Sequence, residues 1–265
     1  MRNMPWSIRR KKERGGNLTA EETDAIVLRY SDYKEADRII TLFSPEQGKI
    51  TAAVRGVKKT TSKLRFAAEL LHYGHYIFNE SKGRYTVVSC TTKESFYDVR
   101  FDVDRLWCAT FMLNAAEKII VEGQRDEALF LHLLKGLYEI TYRQGGSVLG
   151  IAAAYLSGVL RAEGCAPELA ACQECGGEEP AFFDIQSGGV LCRDCAERTA
   201  ERVFKMDGEL LDALRRLFAA PEVYRAAEGC SLRQNKAAFA CLLAYTADRF
   251  ECRFKSADYL LSLDR

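Results

Sequence analysis

The sequence predicts an α+β fold, in which a small N-terminal β-barrel is followed by an α-helical domain that contains an inserted four-cysteine module. Three observations lead to this prediction. Short β-type runs fill the first hundred residues, helical periodicity begins at about residue 102, and two C-x-x-C pairs interrupt the helical part. The chain has 265 residues, 48% of them hydrophobic, which is enough for two or three compact units with buried cores.

The region from about residue 23 to 97 alternates between β-type runs and turn signals. Branched and aromatic side chains fill five runs, at residues 24–30, 38–43, 49–54, 70–78 and 84–91. Five strands in about 75 residues fit a small closed barrel, and the five-stranded OB-fold is the commonest such barrel. The sequence therefore predicts an OB-fold domain over residues 22–100.

Helical periodicity follows the barrel. Five helices are predicted, at residues 104–122, 126–143, 147–164, 207–219 and 231–254. Ser147 is the expected N-cap of the third, buried helix, and Ser231 with Gln234 fits a capping box at the start of the fifth. The helical domain is thus predicted over residues 101–167 and 201–260, and residues 168–200 form the inserted module.

The module contains two C-x-x-C pairs separated by 16 residues: Cys172, Cys175, Cys192 and Cys195. This spacing predicts a structural zinc site, because each pair can turn both thiolates onto one ion and four thiolates complete a tetrahedral shell. A filled shell leaves no position for water or substrate, so the site is expected to support the fold and not to catalyse. Iron in the same cage is the chemical alternative, and disulfides or free thiols are a weaker one.

The expected location is the cytoplasm. The basic N-terminus is not followed by the apolar segment of a signal peptide, and no run approaches the roughly 18 apolar residues of a membrane span. Residues 1–21 are predicted to be a disordered basic arm, because six cations precede a Gly-Gly pair with little periodicity. The arm either adds to nucleic-acid binding or reflects the choice of start site.

The formal net charge of +1 indicates no partner, but the charge distribution does. Residues 49–65 contain six cations and no acid, and cations on a loop of a small barrel can contact phosphates without reading sequence. The candidate nucleic-acid-binding residues are Arg55, Lys58, Lys59, Lys63 and Arg65. Six nearby aromatic residues could stack on bases, although most are expected to fill the barrel: Tyr30, Tyr33, Phe43, Phe66, Tyr73 and Tyr76.

No catalytic motif is recognisable. The glycines near Lys49 and Lys58 lack Walker A spacing, and the three histidines form no H-E-x-x-H or H-x-E motif. A metal-dependent nuclease would need a carboxylate or histidine cluster, and none can be recognised in the sequence. The sequence therefore predicts a binding protein, not an enzyme.

Three segments resemble the N-terminal domain of RecO, the bacterial recombination mediator family. They are residues 23–28 (TDAIVL), 35–49 (EADRIITLFSPEQGK) and 53–59 (AVRGVKK). The order of barrel, helical domain and inserted four-cysteine module is also similar, over roughly residues 22–260.

The resemblance implies a nucleoid-associated DNA repair and recombination protein that binds single- and double-stranded DNA and anneals complementary strands. It also implies that the protein acts with RecR on DNA covered by single-strand-binding protein and helps to load the RecA recombinase. The family's basic barrel face corresponds to the five loop cations, its zinc ligands correspond to the four cysteines, and it is not known as an enzyme. An RNA-binding factor with an OB barrel and a structural zinc module is the alternative.

Overall fold

The computed structural model describes residues 19–199 and 201–263. Its N-terminal part is a closed barrel in which the strand order is β1-β2-β3-β5-β4. The strands are β1 (Thr19–Tyr33), β2 (Asp37–Ser44), β3 (Gly48–Val54), β4 (Tyr73–Ser81) and β5 (Arg84–Glu94). The predicted five-stranded barrel is confirmed. Of the predicted basic arm, residues 1–18 lie outside the described residues and residues 19–21 belong to β1.

The barrel closes because β1 is long enough to pair with two strands. Residues 19–26 pair with β4 and residues 26–33 pair with β2, both antiparallel. A register shift between Val27 and Arg29 marks an irregularity of the kind that bends a strand between two partners. β3 and β5 complete the ring with a short parallel pairing, Ala52 with Tyr85 and Ala53 with Thr86.

Alternate residues of the strands fill the barrel. The burial pattern of β3 changes with a period of two residues, as expected for a strand with one buried face. The stacked rings of Tyr76 and Phe78, whose centroids lie 5.9 Å apart, occupy part of the core. The other strand residues of this core are aliphatic: Ala25, Val27, Ile40, Leu42, Ile50, Ala52, Val54 and Val87.

The chain divides into two compact units. The first contains the barrel through Tyr97 together with Ile119–Phe130, and the second contains Asp98–Lys118 and the chain from Leu131 onward. Within the first unit, the ring of Phe130 packs edge-on against Phe43 at 5.3 Å. The Asp126 amide donates a hydrogen bond to the Pro45 carbonyl at 3.2 Å. No sequence pattern indicated that this segment packs on the barrel.

The helices are α1 (Val103–Ile119), α2 (Glu127–Tyr142), α3 (Val148–Ala162), α4 (Arg193–Thr199), α5 (Gly208–Ala219), α6 (Val223–Ala226), α7 (Leu232–Arg249) and α8 (Ala257–Leu261). The side chain of Ser147 accepts a hydrogen bond from the Gly150 amide and caps α3, which is buried from residue 149 to residue 160. Ser231 and Gln234 form the predicted capping box of α7. The predicted helical domain is confirmed.

The four-cysteine module contains β6 (Phe182–Asp184), β7 (Gly189–Leu191) and α4. β8 (Val203–Lys205), which follows the predicted module, pairs with β6 and completes a small sheet with strand order β7-β6-β8. Tyr245 of α7 holds this sheet: its ring packs edge-on against Phe183 at 5.3 Å and its hydroxyl donates to the Cys165 carbonyl at 3.1 Å. Gly188 has a φ of +75°, and a Cβ there would lie 2.2 Å from the Tyr245 hydroxyl oxygen. Only glycine allows this approach.

Candidate nucleic-acid interface and metal centre

The basic loop, residues 55–65, connects β3 to the short 3-10 helix Phe66–Ala68. Hydrogen bonds within the loop form consecutive turns, since the Lys59 amide donates to the Gly56 carbonyl and the Ser62 amide donates to the Lys59 carbonyl. Val57 is buried in the barrel core and Leu64 packs against it. The loop backbone is therefore fixed by its own hydrogen bonds and by two apolar anchors.

Two contacts join the basic loop to the hairpin between β1 and β2. The Gly56 amide donates to the Asp37 carboxylate at 2.7 Å, and the Lys58 amide donates to the Ala36 carbonyl at 3.0 Å. Gly56 has a φ of +63°, a conformation that glycine adopts without strain. The hairpin thus becomes part of the surface that the basic loop presents.

All five predicted cations of the basic loop are exposed: Arg55, Lys58, Lys59, Lys63 and Arg65. Lys58 donates to the Asp32 carboxylate at 2.9 Å. Within residues 19–199 and 201–263, the other four form no ion pair. Their charges are therefore directed into solvent, where a phosphate backbone can neutralise them.

Arg38 lies beside the basic loop and was not among the predicted residues. Its guanidinium lies 4.1 Å from the centroid of the Tyr30 ring and donates to the Asp32 and Glu69 carboxylates. The cross-strand pairing of Asp32 with Arg38 in the β1–β2 hairpin brings this cation next to Lys58. The short turn between two predicted strands was the signal that could have located it.

The structure separates the six aromatic candidates into three groups. Phe43, Tyr73 and Tyr76 are buried, so none of them can stack on a base. The ring of Tyr30 is covered by Arg38. Phe66 is 73% exposed directly after the basic loop, and Tyr33 is 50% exposed at the end of β1. These two rings are the remaining candidates for contact with unpaired bases.

The four module cysteines form a single cluster. Their sulfur atoms all lie within 4.8 Å of one another, and the Cys175 and Cys192 sulfurs are 3.8 Å apart. A tetrahedral ion with metal–sulfur bonds of about 2.3 Å places its ligands about 3.8 Å apart. Cys172 and Cys195 are buried, whereas Cys175 is exposed. The cluster is compatible with a zinc module, as the spacing predicted.

The surroundings of the cluster act on its thiols in both directions, since burial raises the pKa of the Cys195 thiol to about 12 whereas the pKa of the Cys172 thiol is lowered. Burial raises the pKa of the Cys172 thiol, but backbone N–H groups of Cys192, Cys175 and Glu174 act against it and bring the pKa down to about 6. The Arg198 guanidinium donates to the Cys195 sulfur at 3.4 Å. Sulfur atoms at this separation, with N–H donors directed at them, are the donor set that binds a divalent cation.

The apolar core next to the cysteines is small. Besides the cysteines it contains only Leu191 and Ala196 as buried residues, with Phe182 packed against them, among the residues that the structure describes. A core of this size buries too little apolar surface to hold a fold alone, which is the situation in which a structural metal supplies folding energy.

Comparison with known proteins decides the family. Residues 18–96 match the family model described as "Recombination protein O N terminal", and residues 100–256 match "Recombination protein O C terminal". The chain belongs to the recombination protein O (RecO) family. The resemblance predicted from the sequence over roughly residues 22–260 is thereby confirmed.

Relatives described as "DNA repair protein RecO" cover most of the chain. The protein of Acetivibrio thermocellus is 35% identical over 178 residues, which are 66% of this chain and 70% of the relative. The protein of Desulforamulus reducens is 30% identical over 198 residues, 74% of this chain and 76% of the relative. The protein of Pelotomaculum thermopropionicum is 34% identical over 197 residues, 73% of this chain and 76% of the relative.

Among residues 19–199 and 201–263, no helix is both long enough and apolar enough to cross a bilayer.

Proposed function

We propose that this RecO-family chain is a DNA repair mediator that binds single- and double-stranded DNA through the basic loop and anneals complementary strands. The observation that supports this proposal most directly is the set of five exposed cations on one loop. They stand on a fixed backbone, and the segment that carries them contains no acid. Contacts of this kind bind phosphates irrespective of sequence.

Annealing follows from the same electrostatics. Two complementary strands repel each other through their phosphates, and a protein that neutralises part of that charge lowers the barrier to their approach. This step needs no bond to be made or broken in the DNA. The proposed mechanism is therefore one of binding, without catalysis.

We further propose that Cys172, Cys175, Cys192 and Cys195 hold one structural Zn²⁺. The 3.8 Å sulfur separation, the N–H donors around Cys172 and the small apolar core support this assignment. Four thiolates leave the ion no open position, so the metal would stabilise the module and take no part in DNA chemistry.

Family membership supports a wider role in recombination. In this proposal the protein acts with RecR on strands covered by single-strand-binding protein, and it helps to load RecA onto them. It works where the chromosomal DNA is, in the cytoplasm. The barrel would contact the DNA in this assembly.

A fluorescence annealing assay tests the proposal. Complementary labelled strands, each covered with single-strand-binding protein, are mixed with and without this chain. The expected result is a faster rise of the duplex signal, which decreases as salt is added because the contacts are electrostatic. An annealing rate that the chain does not change at any salt concentration would contradict the proposal.

A further inference from the structure

The β1–β2 hairpin directs one acid at two cations of the proposed DNA surface. One carboxylate oxygen of Asp32 accepts from Arg38 Nε at 3.1 Å, and the other accepts from Lys58 Nζ at 2.9 Å. These hydrogen bonds, that of Lys58 first, hold the pKa of the Asp32 carboxyl below its usual value. The Asp32 side chain is 52% exposed, so the carboxylate bridges the two cations at a place that solvent and ligands can reach.

Arg38 does not depend on Asp32 for its position. The guanidinium is stacked on the Tyr30 ring at 4.1 Å, and its NH1 atom donates to the Glu69 carboxylate at 2.8 Å and to the Ala68 carbonyl at 3.2 Å. Its side chain is only 17% exposed. The Tyr30 ring and the hydrogen bonds to Glu69 and Ala68 would keep the guanidinium in place after the Asp32 carboxylate has moved away.

The backbone of Lys58 is also fixed independently. Its amide donates to the Ala36 carbonyl at 3.0 Å, and the neighbouring Val57 is buried in the barrel core. The ion pair between Lys58 and Asp32 joins two exposed side chains, and pairs of this kind add little to stability. Removing the carboxylate would therefore leave Arg38 in place, Lys58 on a fixed backbone and a nearly unchanged fold.

A DNA phosphate matches what these cations bind. Like the Asp32 carboxylate, it carries one negative charge and offers two oxygen acceptors, which suit the planar Arg38 fork and the Lys58 ammonium. Two anions cannot share the position, since like charges a few ångströms apart repel each other. We propose that the Asp32 carboxylate is an internal competitor, which occupies the phosphate position between Arg38 and Lys58 and is displaced when DNA binds.

This inference rests on the proposed DNA-binding function and adds a means of regulating it. A protein that brings strands together must also release the duplex. A competing carboxylate lowers the affinity for DNA and favours release of the duplex, although both cations are still present. Before DNA binds, the carboxylate also neutralises the charge of Lys58.

Asp32→Asn tests the inference, because it keeps the shape of the side chain and removes its charge. The full-length protein is titrated into fluorescent oligothymidylate over a series of salt concentrations, and melting temperatures confirm that the variants fold. We expect binding to tighten about two- to five-fold, since an exposed ion pair no longer has to be broken. We expect the log–log salt slope to change little, since the wild type neutralises the same phosphate once the carboxylate has been displaced.

Two further variants distinguish competition by Asp32 for the phosphate position from the general effect of removing one negative charge. Glu35→Gln removes the same charge from the same hairpin, where Glu35 is exposed and forms no ion pair with any described residue. Its gain in affinity should be clearly smaller than that of Asp32→Asn. In the Lys58→Ala background, the gain from Asp32→Asn should be clearly smaller than in the wild type, because only Arg38 is then left to be freed.

Each result decides the question. Equal gains from Asp32→Asn and Glu35→Gln would overturn the inference, and so would a gain from Asp32→Asn that the loss of Lys58 does not reduce. Unchanged binding by Asp32→Asn, beside clear binding by the wild type, would overturn the inference and leave the proposed function standing. A wild-type protein that binds no oligonucleotide even at low salt would overturn both.

Discussion

The basic loop keeps its five cations spread out in solvent, whereas the cysteine module gathers four sulfur atoms within 4.8 Å of one another. In the loop, the backbone is held by its own turns and by the buried Val57. The charged side chains therefore do not contribute to the conformation of the loop. In the module, the cysteines are themselves a large part of the core. We therefore expect the loop to keep its fold without its charges and the module to depend on its cysteines.

The difference predicts how each region responds to mutation. Exposed cations contribute separately to phosphate binding, so losing one should remove a fraction of the affinity. Metal ligands act together, because three thiolates cannot complete the shell that four provide. We expect graded effects in the loop and all-or-none effects in the module.

The largest effect is expected for Cys172→Ser, which removes a buried ligand. The variant should lose its zinc and unfold the module, because the apparent binding energy of a structural zinc site is about 10–16 kcal/mol and is available only to the folded form. Zinc content by mass spectrometry and thermal melting measure the outcome. Cys252→Ser, at a cysteine outside the cluster, should retain one zinc per chain. Full zinc content in Cys172→Ser would contradict the assignment.

A smaller effect is expected where the module packs on α7. Gly188→Ala combines a left-handed backbone with a Cβ 2.2 Å from the Tyr245 hydroxyl oxygen. It should cost about 2–4 kcal/mol in chemical unfolding while zinc is retained.

Gly145→Ala is the matched control for this change. Gly145 has a nearly identical φ of +73°, but a Cβ there meets nothing within 4 Å. It should cost only the backbone strain, about 1 kcal/mol. Equal losses in the two variants would show that the contact with Tyr245 contributes nothing to stability.

The smallest effect concerns the exposed ring beside the basic loop. Phe66→Ala should weaken binding of single-stranded DNA by about 1–3 kcal/mol, the usual contribution of one stacked base. Duplex binding should not change, because paired bases are already stacked on each other. Phe66→Leu keeps an apolar side chain without the ring and should behave like the alanine variant. Equal losses for single and double strands would place Phe66 outside the base-contacting surface.

Much of this fold is predictable from local patterns. Alternation and turn residues located all five barrel strands, and Ser147 and Ser231 act as the predicted caps because capping depends on only a few neighbouring residues. The cysteine cluster followed from spacing alone, since two residues between ligands suffice to orient both thiolates.

Other features depend on contacts that no local pattern encodes. The packing of Phe130 on Phe43 joins residues far apart in sequence. The short helices α4, α6 and α8 are too brief to show periodicity. Arg38 and Asp32 were missed because their importance comes from the strand register that sets them opposite each other, beside a loop that follows later in the chain. The burial of individual aromatic side chains also depends on tertiary packing, and three of the six aromatic candidates for base stacking are buried.

Salt titration of DNA binding is the decisive experiment for the basic loop. In the loop variant, Arg55, Lys58, Lys59, Lys63 and Arg65 are all replaced by alanine. In the control, five exposed cations outside the basic loop are replaced instead: Arg84, Lys118, Arg193, Lys205 and Arg225. Both variants lose the same net charge, so only the position of the charges differs.

We predict that the log–log salt slope for single-stranded DNA becomes shallower by up to about 3.5 in the loop variant, at about 0.7 for each phosphate that the protein no longer neutralises. The control should keep nearly the wild-type slope. Superimposable titrations of the wild type and the loop variant would contradict the claim that the basic loop is the DNA-binding surface.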